Sequence, residues 1–191
     1  MNLLDHVRAA ARANRLANHR LHAAMDALAP GEFEAVRTGF FPSLAGTLNH
    51  LLAVDVYYIA ALHREADMVA QYERFVACRS VGELAERQRV SDERLIAFVE
   101  SLGAEDLAAD VVMDRGETKQ VDRVAPVLAH LAMHQTHHRG QAHAMLSGTT
   151  VAPPQLDEFL MPSEAYLRHE DMAALGWTEA SLFRGAHDPG R

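Results

Sequence analysis

The chain has 191 residues, of which 49% are hydrophobic and 23% are charged, and its formal net charge is −8. These values are typical of an ordinary soluble chain that is long enough to bury one hydrophobic core. The negative charge argues against nucleic acid as an electrostatic partner, because no cluster of lysines and arginines reverses it locally.

The cysteine content and the N-terminal sequence bear on the cellular compartment. Cys78 is the only cysteine, so an intramolecular disulfide is excluded and a reducing environment is consistent with the sequence. No apolar run reaches the roughly 18 residues of a membrane-spanning helix. The first six residues lack the charged and apolar regions of a signal peptide. We therefore expect a cytoplasmic protein that does not bind membranes.

Helical periodicity dominates the first half of the chain, where alanine, leucine, arginine and glutamate supply the helix propensity. The pattern predicts a first helix over residues 2–28 and a second over residues 43–70. A third helix is predicted over residues 80–103, and it begins with the capping-box pattern Ser80-Val-Gly-Glu83.

The second half begins with a different pattern. Residues 111–121 predict a short β-hairpin that turns at Arg115-Gly116. A fourth helix is predicted over residues 122–146, and a helical tail segment over residues 163–175. The chain shows no repeat and no inter-domain linker, so residues 1–191 form one domain. The predicted fold is all-α: an up-and-down four-helix bundle with a short hairpin before the fourth helix and a C-terminal tail helix.

The fourth helix is rich in histidine. Four of the twelve histidines share one stripe with apolar residues, so we expect them to face the core: His130, His134, His137 and His138. Burying an unpaired polar group costs roughly 2–7 kcal/mol, and one divalent ion can bind several imidazoles at once. His134 and His138 are four positions apart, a spacing that lets both rings bind one ion. The alternative is a solvated or self-hydrogen-bonded helix, which a single histidine would favour and four do not.

Three of the four helical seams are polar near their middle, with the pairs Asn14/Asn18, Gln88/Ser91 and His134/His138. Residues midway along each helix of a bundle meet at one level, so the sequence predicts a polar layer. One buried asparagine would be explained as a device that sets helix register. A layer with several histidines is better explained as a functional site.

The second helix contributes His50, and small residues surround it on its face: Ser43, Gly46, Thr47 and Ala53, with Tyr57 two turns further on. Small residues beside a histidine leave volume that the seams do not fill. We therefore expect a pocket lined by Ala53, Tyr57, Asn14 and Asn18.

Two segments, Thr47-Leu-Asn-His50-Leu-Leu and His134-Gln-Thr-His-His-Arg-Gly-Gln141, resemble the DinB family of bacterial four-helix-bundle proteins. The resemblance covers most of the chain and includes Arg15-Leu-Ala-Asn18-His and Pro153-Pro-Gln-Leu-Asp157. It implies a homodimer and a divalent ion, with water in the remaining coordination positions. The ligands that it implies are His50, His134 and His138.

The other polar residues near these ligands receive supporting roles. We expect His130 to lie behind the ligands and His137 to line the pocket or orient a ligand. Gln141 and Asn18 are the best candidates for holding the ligand rings, and Asp55 is a further one. His143 lies on the opposite face of the helix and is expected to be solvated.

Three protein ligands with an open position are typical of a catalytic metal. A peptidase of the HExxH type is excluded, because Gln135 stands where that chemistry needs a glutamate base. The resemblance implies a metal-dependent transferase or isomerase that uses a low-molecular-weight thiol, with zinc or nickel, and then iron, as the expected metal. Two alternatives remain at this stage: a non-catalytic protein that binds a metal or small ligand, and a dimeric structural protein that the metal staples.

Overall fold

The structure is a computed structural model that describes residues 2–157 and 161–183. In the described part of the chain, the elements run in the order α1 (Leu3–Met25), α2 (Leu44–Leu62), α3 (Met68–Glu73), α4 (Val81–Ser101), β1 (Asp110–Asp114), β2 (Lys119–Arg123), α5 (Val124–Leu146), α6 (His169–Ala174) and α7 (Glu179–Leu182). The four long helices form the bundle. The predicted all-α bundle with a short hairpin before its last long helix is confirmed.

The long helices pack chiefly in two antiparallel pairs, α1 with α4 and α2 with α5. One apolar cluster joins the starts of α1 and α5 to the ends of α2 and α4, and a second cluster joins the opposite ends. Helices α2 and α4 therefore run in the same direction, which differs from the predicted up-and-down order in this one connection. The connection between α3 and α4 is held beside α2 by the Asn49 side chain, which accepts from the Cys78 N–H (2.6 Å) and donates to the Cys78 carbonyl (3.0 Å).

The helix ends follow local capping chemistry. Ser80 accepts from the Glu83 N–H at the start of α4 (3.2 Å), but the Glu83 carboxylate accepts from the Arg79 N–H (3.0 Å) instead of completing the predicted box. The predicted second helix is interrupted after Leu62, because Arg64 adopts a left-handed φ of 58° that an α-helix cannot accommodate. The predicted first helix ends three residues early, at Met25.

The hairpin lies against the bundle beside α2 and α5. Val111 and Met113 point inward from β1 and are buried. The Tyr57 hydroxyl on α2 donates to the Asp114 carbonyl (2.6 Å), which fixes the end of β1. The turn closes with a hydrogen bond from the Arg115 N–H to the Thr118 carbonyl, and Gly116 there adopts a φ of 85°. Arg115 is thereby held next to α2.

The tail returns to the bundle and packs on α1. The Arg20 guanidinium donates to the Asp171 carboxylate and to the carbonyls of Gln155 and Leu167. The predicted tail helix is a 3-10 segment, Pro162–Arg168, followed by α6. Within residues 2–157 and 161–183, no helix is both long and apolar enough to span a membrane.

Candidate metal centre

Helices α2 and α5 bring three histidines together where they pack against each other. His50 lies in the second turn of α2, and His134 and His138 lie on successive turns of α5. One nitrogen of each ring lies within 4.8 Å of the others. The Nε2 atoms of His50 and His134 are 3.3 Å apart, although 84 positions separate them in the sequence. The fold therefore places the three expected ligands in one cluster.

These distances fit a divalent ion. With metal–nitrogen bonds of about 2.0–2.1 Å, two ligands of a tetrahedral ion lie about 3.3 Å apart. The Nε2 atom of His134 faces the His50 ring, and its Nδ1 atom is buried without a hydrogen-bond partner among the described protein atoms. Three imidazoles are donors that zinc, nickel, iron and copper all accept.

Gln141 fixes the orientation of the His138 ring. Its Oε1 atom accepts from His138 Nδ1 (2.7 Å), so the proton is placed on that nitrogen. The Nε2 atom of His138 is then unprotonated, which is the form that binds a metal. The amide nitrogen of Gln141 lies 3.2 Å from Nε2 of His137, so His137 contacts the cluster through this glutamine.

The protonation state of the cluster favours metal binding at neutral pH. Burial, and then the neighbouring imidazoles, lower the pKa of His134 to about 4. Burial also lowers the pKa of His50 and of His138. Neutral imidazoles carry no charge that would repel a cation, so the three rings are prepared to act as ligands.

The Phe41 side chain lies beside the small residues around His50, which corrects the expectation that this space is a pocket. The Phe41 ring stacks on His50, with ring centroids 4.4 Å apart and an interplanar angle of 28°. Phe41 also lies 3.6 Å from where a Cβ atom on Gly46 would stand, and Thr47 is fully buried beside Met145. Phe41 therefore covers this side of the cluster. It lies in a loop without periodic pattern, so its position is not predictable from the sequence.

The other histidines of α5 differ from the predicted stripe. His130 and His137 are exposed, and His134 is half-buried, so the four histidines do not share a core-facing stripe. The residues of α5 that face the core include Leu131, Gln135, His138, Arg139 and Ala142. The predicted solvation of His143 is also wrong, because its ring is half-buried and its Nε2 lies 2.9 Å from the Pro154 carbonyl.

The cluster borders a cleft at His134, whereas Phe41 lies against His50 and His138. This cleft has a volume of about 470 Å³, and His134 and His130 form part of its wall with Tyr57 and Tyr58. Tyr57 lines it as predicted, whereas Ala53 is buried and does not. A larger cavity of about 980 Å³ lies between α1 and the tail, but it does not touch the three histidines.

Asn14 and Asn18 lie inside the bundle and do not line this cleft, contrary to the expectation. Both side chains donate to Asp92 on α4 (3.0 Å each). Both accept from the Arg139 guanidinium on α5, at 2.5 Å for Asn14 and 3.1 Å for Asn18. The predicted polar layer exists, and it lies behind the histidines instead of around them.

The layer continues through α2. Asp55 is fully buried and accepts from Gln88 (2.8 Å) and from Gln135 (3.1 Å). Gln135, which stands where a peptidase would need its glutamate base, points into this layer. Gln88 also donates to Asp92 (3.0 Å), so one network of hydrogen bonds connects α1, α2, α4 and α5. Asp55 makes no recorded contact with a histidine of the cluster.

The two buried carboxyl groups predict a pH dependence of stability. Burial, and then the charge of Asp92, raise the pKa of Asp55 from 3.8 to about 7. Burial also raises the pKa of Asp92, to about 6. Between about pH 4 and pH 7 the folded chain retains a proton on Asp55 that the unfolded chain has released. This contribution to stability is complete below the unfolded pKa and is lost as pH rises through the folded pKa.

Replacing Asp55 with asparagine should remove the part of this dependence that Asp55 contributes and leave the part that comes from Asp92. A tenfold change in an ionisation constant corresponds to about 1.4 kcal/mol, so between pH 4 and 7 the free energy of unfolding of the wild type should fall by roughly 2–4 kcal/mol relative to Asp55→Asn. Urea unfolding of the metal-free protein across this pH range measures the difference. The exposed Asp26→Asn variant is the control and should follow the wild type. Parallel curves for Asp55→Asn and the wild type would contradict the buried, protonated carboxyl.

Replacing Gln141 should weaken metal binding without removing a ligand. Gln141→Ala leaves the His138 ring free to rotate and to change tautomer, so metal affinity should fall by about 10-fold to 100-fold. Gln141→Glu retains an acceptor for the His138 Nδ1 proton and should bind metal at least as well as the wild type. A competition titration against a chromophoric chelator measures both values. Equal losses in the two variants would show that the acceptor does not matter.

The comparison with known protein families agrees with this geometry. The model of the DinB family matches residues 3–172, which is nearly the whole chain. The matched range contains all three clustered histidines, Gln141 and the residues of the polar layer. A search of curated proteins finds no match.

Proposed function

The chain belongs to the DinB family, and on that premise we propose that it is an enzyme whose divalent metal ion is held by His50, His134 and His138. The observation that carries the proposal is the convergence of three imidazoles beside a cleft. Within the described residues, no further histidine, cysteine or carboxylate joins this cluster. Three protein ligands leave room for a substrate or water, as in catalytic metal sites, whereas a structural zinc has four.

When bound, the ion would lower the pKa of water or of a small thiol enough to produce a nucleophile near neutral pH. The chain supplies the surroundings for this chemistry. Gln141 holds a proton on His138 Nδ1, and Phe41 excludes water from one side of the cluster. The cleft admits the substrate next to His134. With imidazole donors alone, zinc and nickel are the metals that we propose, followed by iron.

The arrangement favours an enzyme over a metal staple. A purely structural metal site would need a fourth protein ligand, such as His130 or His137. In the structure His130 lines the cleft, and His137 contacts Gln141. A non-catalytic binding protein would also need an accessible cleft. Turnover of a substrate by the metal-loaded protein, lost on chelation and restored by metal, would distinguish an enzyme from such a protein.

The ligand assignment is tested by removing the three imidazoles together. The variant His50→Ala/His134→Ala/His138→Ala should lose stoichiometric metal after dialysis, as measured by elemental analysis. Its melting temperature should stop responding to added metal, because an ion stabilises only the state that binds it. The exposed His6→Ala is the matched control and should retain both properties. His143→Ala is unsuitable as a control, since His143 holds the tail through Pro154. A triple variant that kept one metal per chain would refute the assignment.

We propose further that a low-molecular-weight thiol is the cosubstrate in a transfer or isomerisation reaction. The support in the chain is the lack of a protein thiol at the cleft. Cys78 is the only cysteine, is buried, and lies in the connection between α3 and α4, just before α4 begins. A reaction that needs a sulfur nucleophile must therefore take it from solution.

Cobalt substitution tests the thiol. With Co(II) in the centre, glutathione or cysteine should add a sulfur-to-metal charge-transfer band to the absorption spectrum. Val54→Trp fills the cleft without replacing a ligand, so it should remove the band while metal content stays unchanged. The exposed Val90→Trp is the control and should keep the band. A wild-type spectrum that responds to neither thiol would contradict a cosubstrate of this class.

A further inference from the structure

The cleft beside His134 combines a largely apolar surface with a few charged groups. Its volume of about 470 Å³ is within the range of small-molecule sites. The walls are mostly aromatic and aliphatic: Val54, Tyr57, Tyr58, Val69 and Tyr72. Such surfaces pack against a flat, apolar group, since aromatic rings prefer stacked or edge-to-face contacts. The walls therefore predict a ligand with an unsaturated or aromatic body.

One cation, Arg115, also lines this cleft. Its guanidinium carbon lies 5.0 Å from the centroid of the Tyr57 ring and 5.5 Å from that of Tyr58. One of its terminal nitrogens donates to the Tyr58 hydroxyl (3.1 Å) and to Gln120 (3.3 Å). Among the described residues, no carboxylate forms an ion pair with this guanidinium. The rings hold it in place with its charge available to an anion.

Two carboxylates limit the charge of the ligand. Glu73 and Asp114 lie along the same cleft. The Asp114 carboxylate already accepts from the Gly116 N–H (2.8 Å) in the turn that carries Arg115. A second negative charge on the ligand would meet these two groups without a cation to offset them. Within the described part of the chain, Arg115 is the one arginine or lysine that lines the cleft, and a single carboxylate directed at it meets that charge.

We infer that the substrate is a small monocarboxylic acid with a flat, apolar body, and that Arg115 binds its carboxylate. This inference rests on the proposed function, because the cleft is the route by which such an acid reaches the metal centre. Arg115 is then a residue that determines substrate specificity. The hairpin gains a role as well: it carries Arg115, and the bond from Tyr57 to Asp114 fixes its position.

Three probes with the same ring and different charge test the inference: benzoate, benzamide and benzylamine. Each probe is titrated into the metal-free protein and its binding is measured by ligand NMR. Because no metal is present, the carboxylate cannot bind by coordinating one. Benzoate should bind about tenfold or more tightly than benzamide, because its hydrogen bonds to Arg115 are charge-assisted. Arg115→Gln should reduce benzoate affinity to the level of benzamide. Arg79→Gln removes the same charge elsewhere on the surface and should leave the affinity unchanged.

The metal content of the same samples separates this inference from the proposed function. If the wild type binds benzoate but no metal, and Arg115→Gln loses the benzoate binding, the proposed function is contradicted and the role of Arg115 is supported. If the wild type binds metal but Arg115→Gln leaves the benzoate affinity unchanged, the inference is overturned and the proposed function stands. Preference for benzylamine would overturn it too, because Glu73 and Asp114 would then dominate the cleft. With Co(II) bound, faster relaxation of the benzoate ring protons should place the ring beside His134.

Discussion

The hydrogen bond between Gln135 and Asp55 is the interaction on which the candidate centre depends. This hydrogen bond is 3.1 Å long and joins α5 to α2 inside the bundle. Gln135 directly follows His134 in the sequence. An unpaired buried carboxyl group is costly, so an alignment of α2 and α5 that separated this pair would be penalised. Contacts on either side follow the same antiparallel alignment: Thr47 with Met145, His50 with His134, and Tyr58 with His130. The register that satisfies Asp55 is therefore the register that assembles the histidines.

The polar layer connects this register to the rest of the bundle. Asp92 on α4 receives hydrogen bonds from α1 and from Gln88, and Gln88 also binds Asp55. Arg139 on α5 returns to α1 through Asn14 and Asn18. Each long helix contributes to the layer, and apolar clusters close it at both ends. In this arrangement of the four helices both Asp55 and Asp92 have hydrogen-bond partners, so the layer favours it over alternatives that would leave a buried carboxylate unpaired.

The sequence predicted the histidine cluster and Gln141 beside it, but not the other surroundings, and the reason is geometric. A spacing of four places His134 and His138 on one side of any helix, so their proximity does not depend on tertiary structure. How far each helix is rotated toward its neighbours does depend on it. Helix α5 contacts both α2 and α1, so its buried face is wider than a single seam. Gln135 and Arg139 fall on that wider face, whereas His130 and His137 fall outside it. Phe41, from a loop with no periodicity, could not be placed at all.

The metal-edge X-ray absorption spectrum of the loaded protein tests the central claim most directly. For zinc, the imidazoles of His50, His134 and His138 should appear as three nitrogen neighbours at about 2.0–2.1 Å. The spectrum should also show the multiple scattering of histidine rings and one or more further light-atom ligands. The spectrum should be lost when these three residues are replaced. A sulfur neighbour in the absence of added thiol, or a shell of four imidazoles, would contradict a three-histidine centre that is accessible from the cleft.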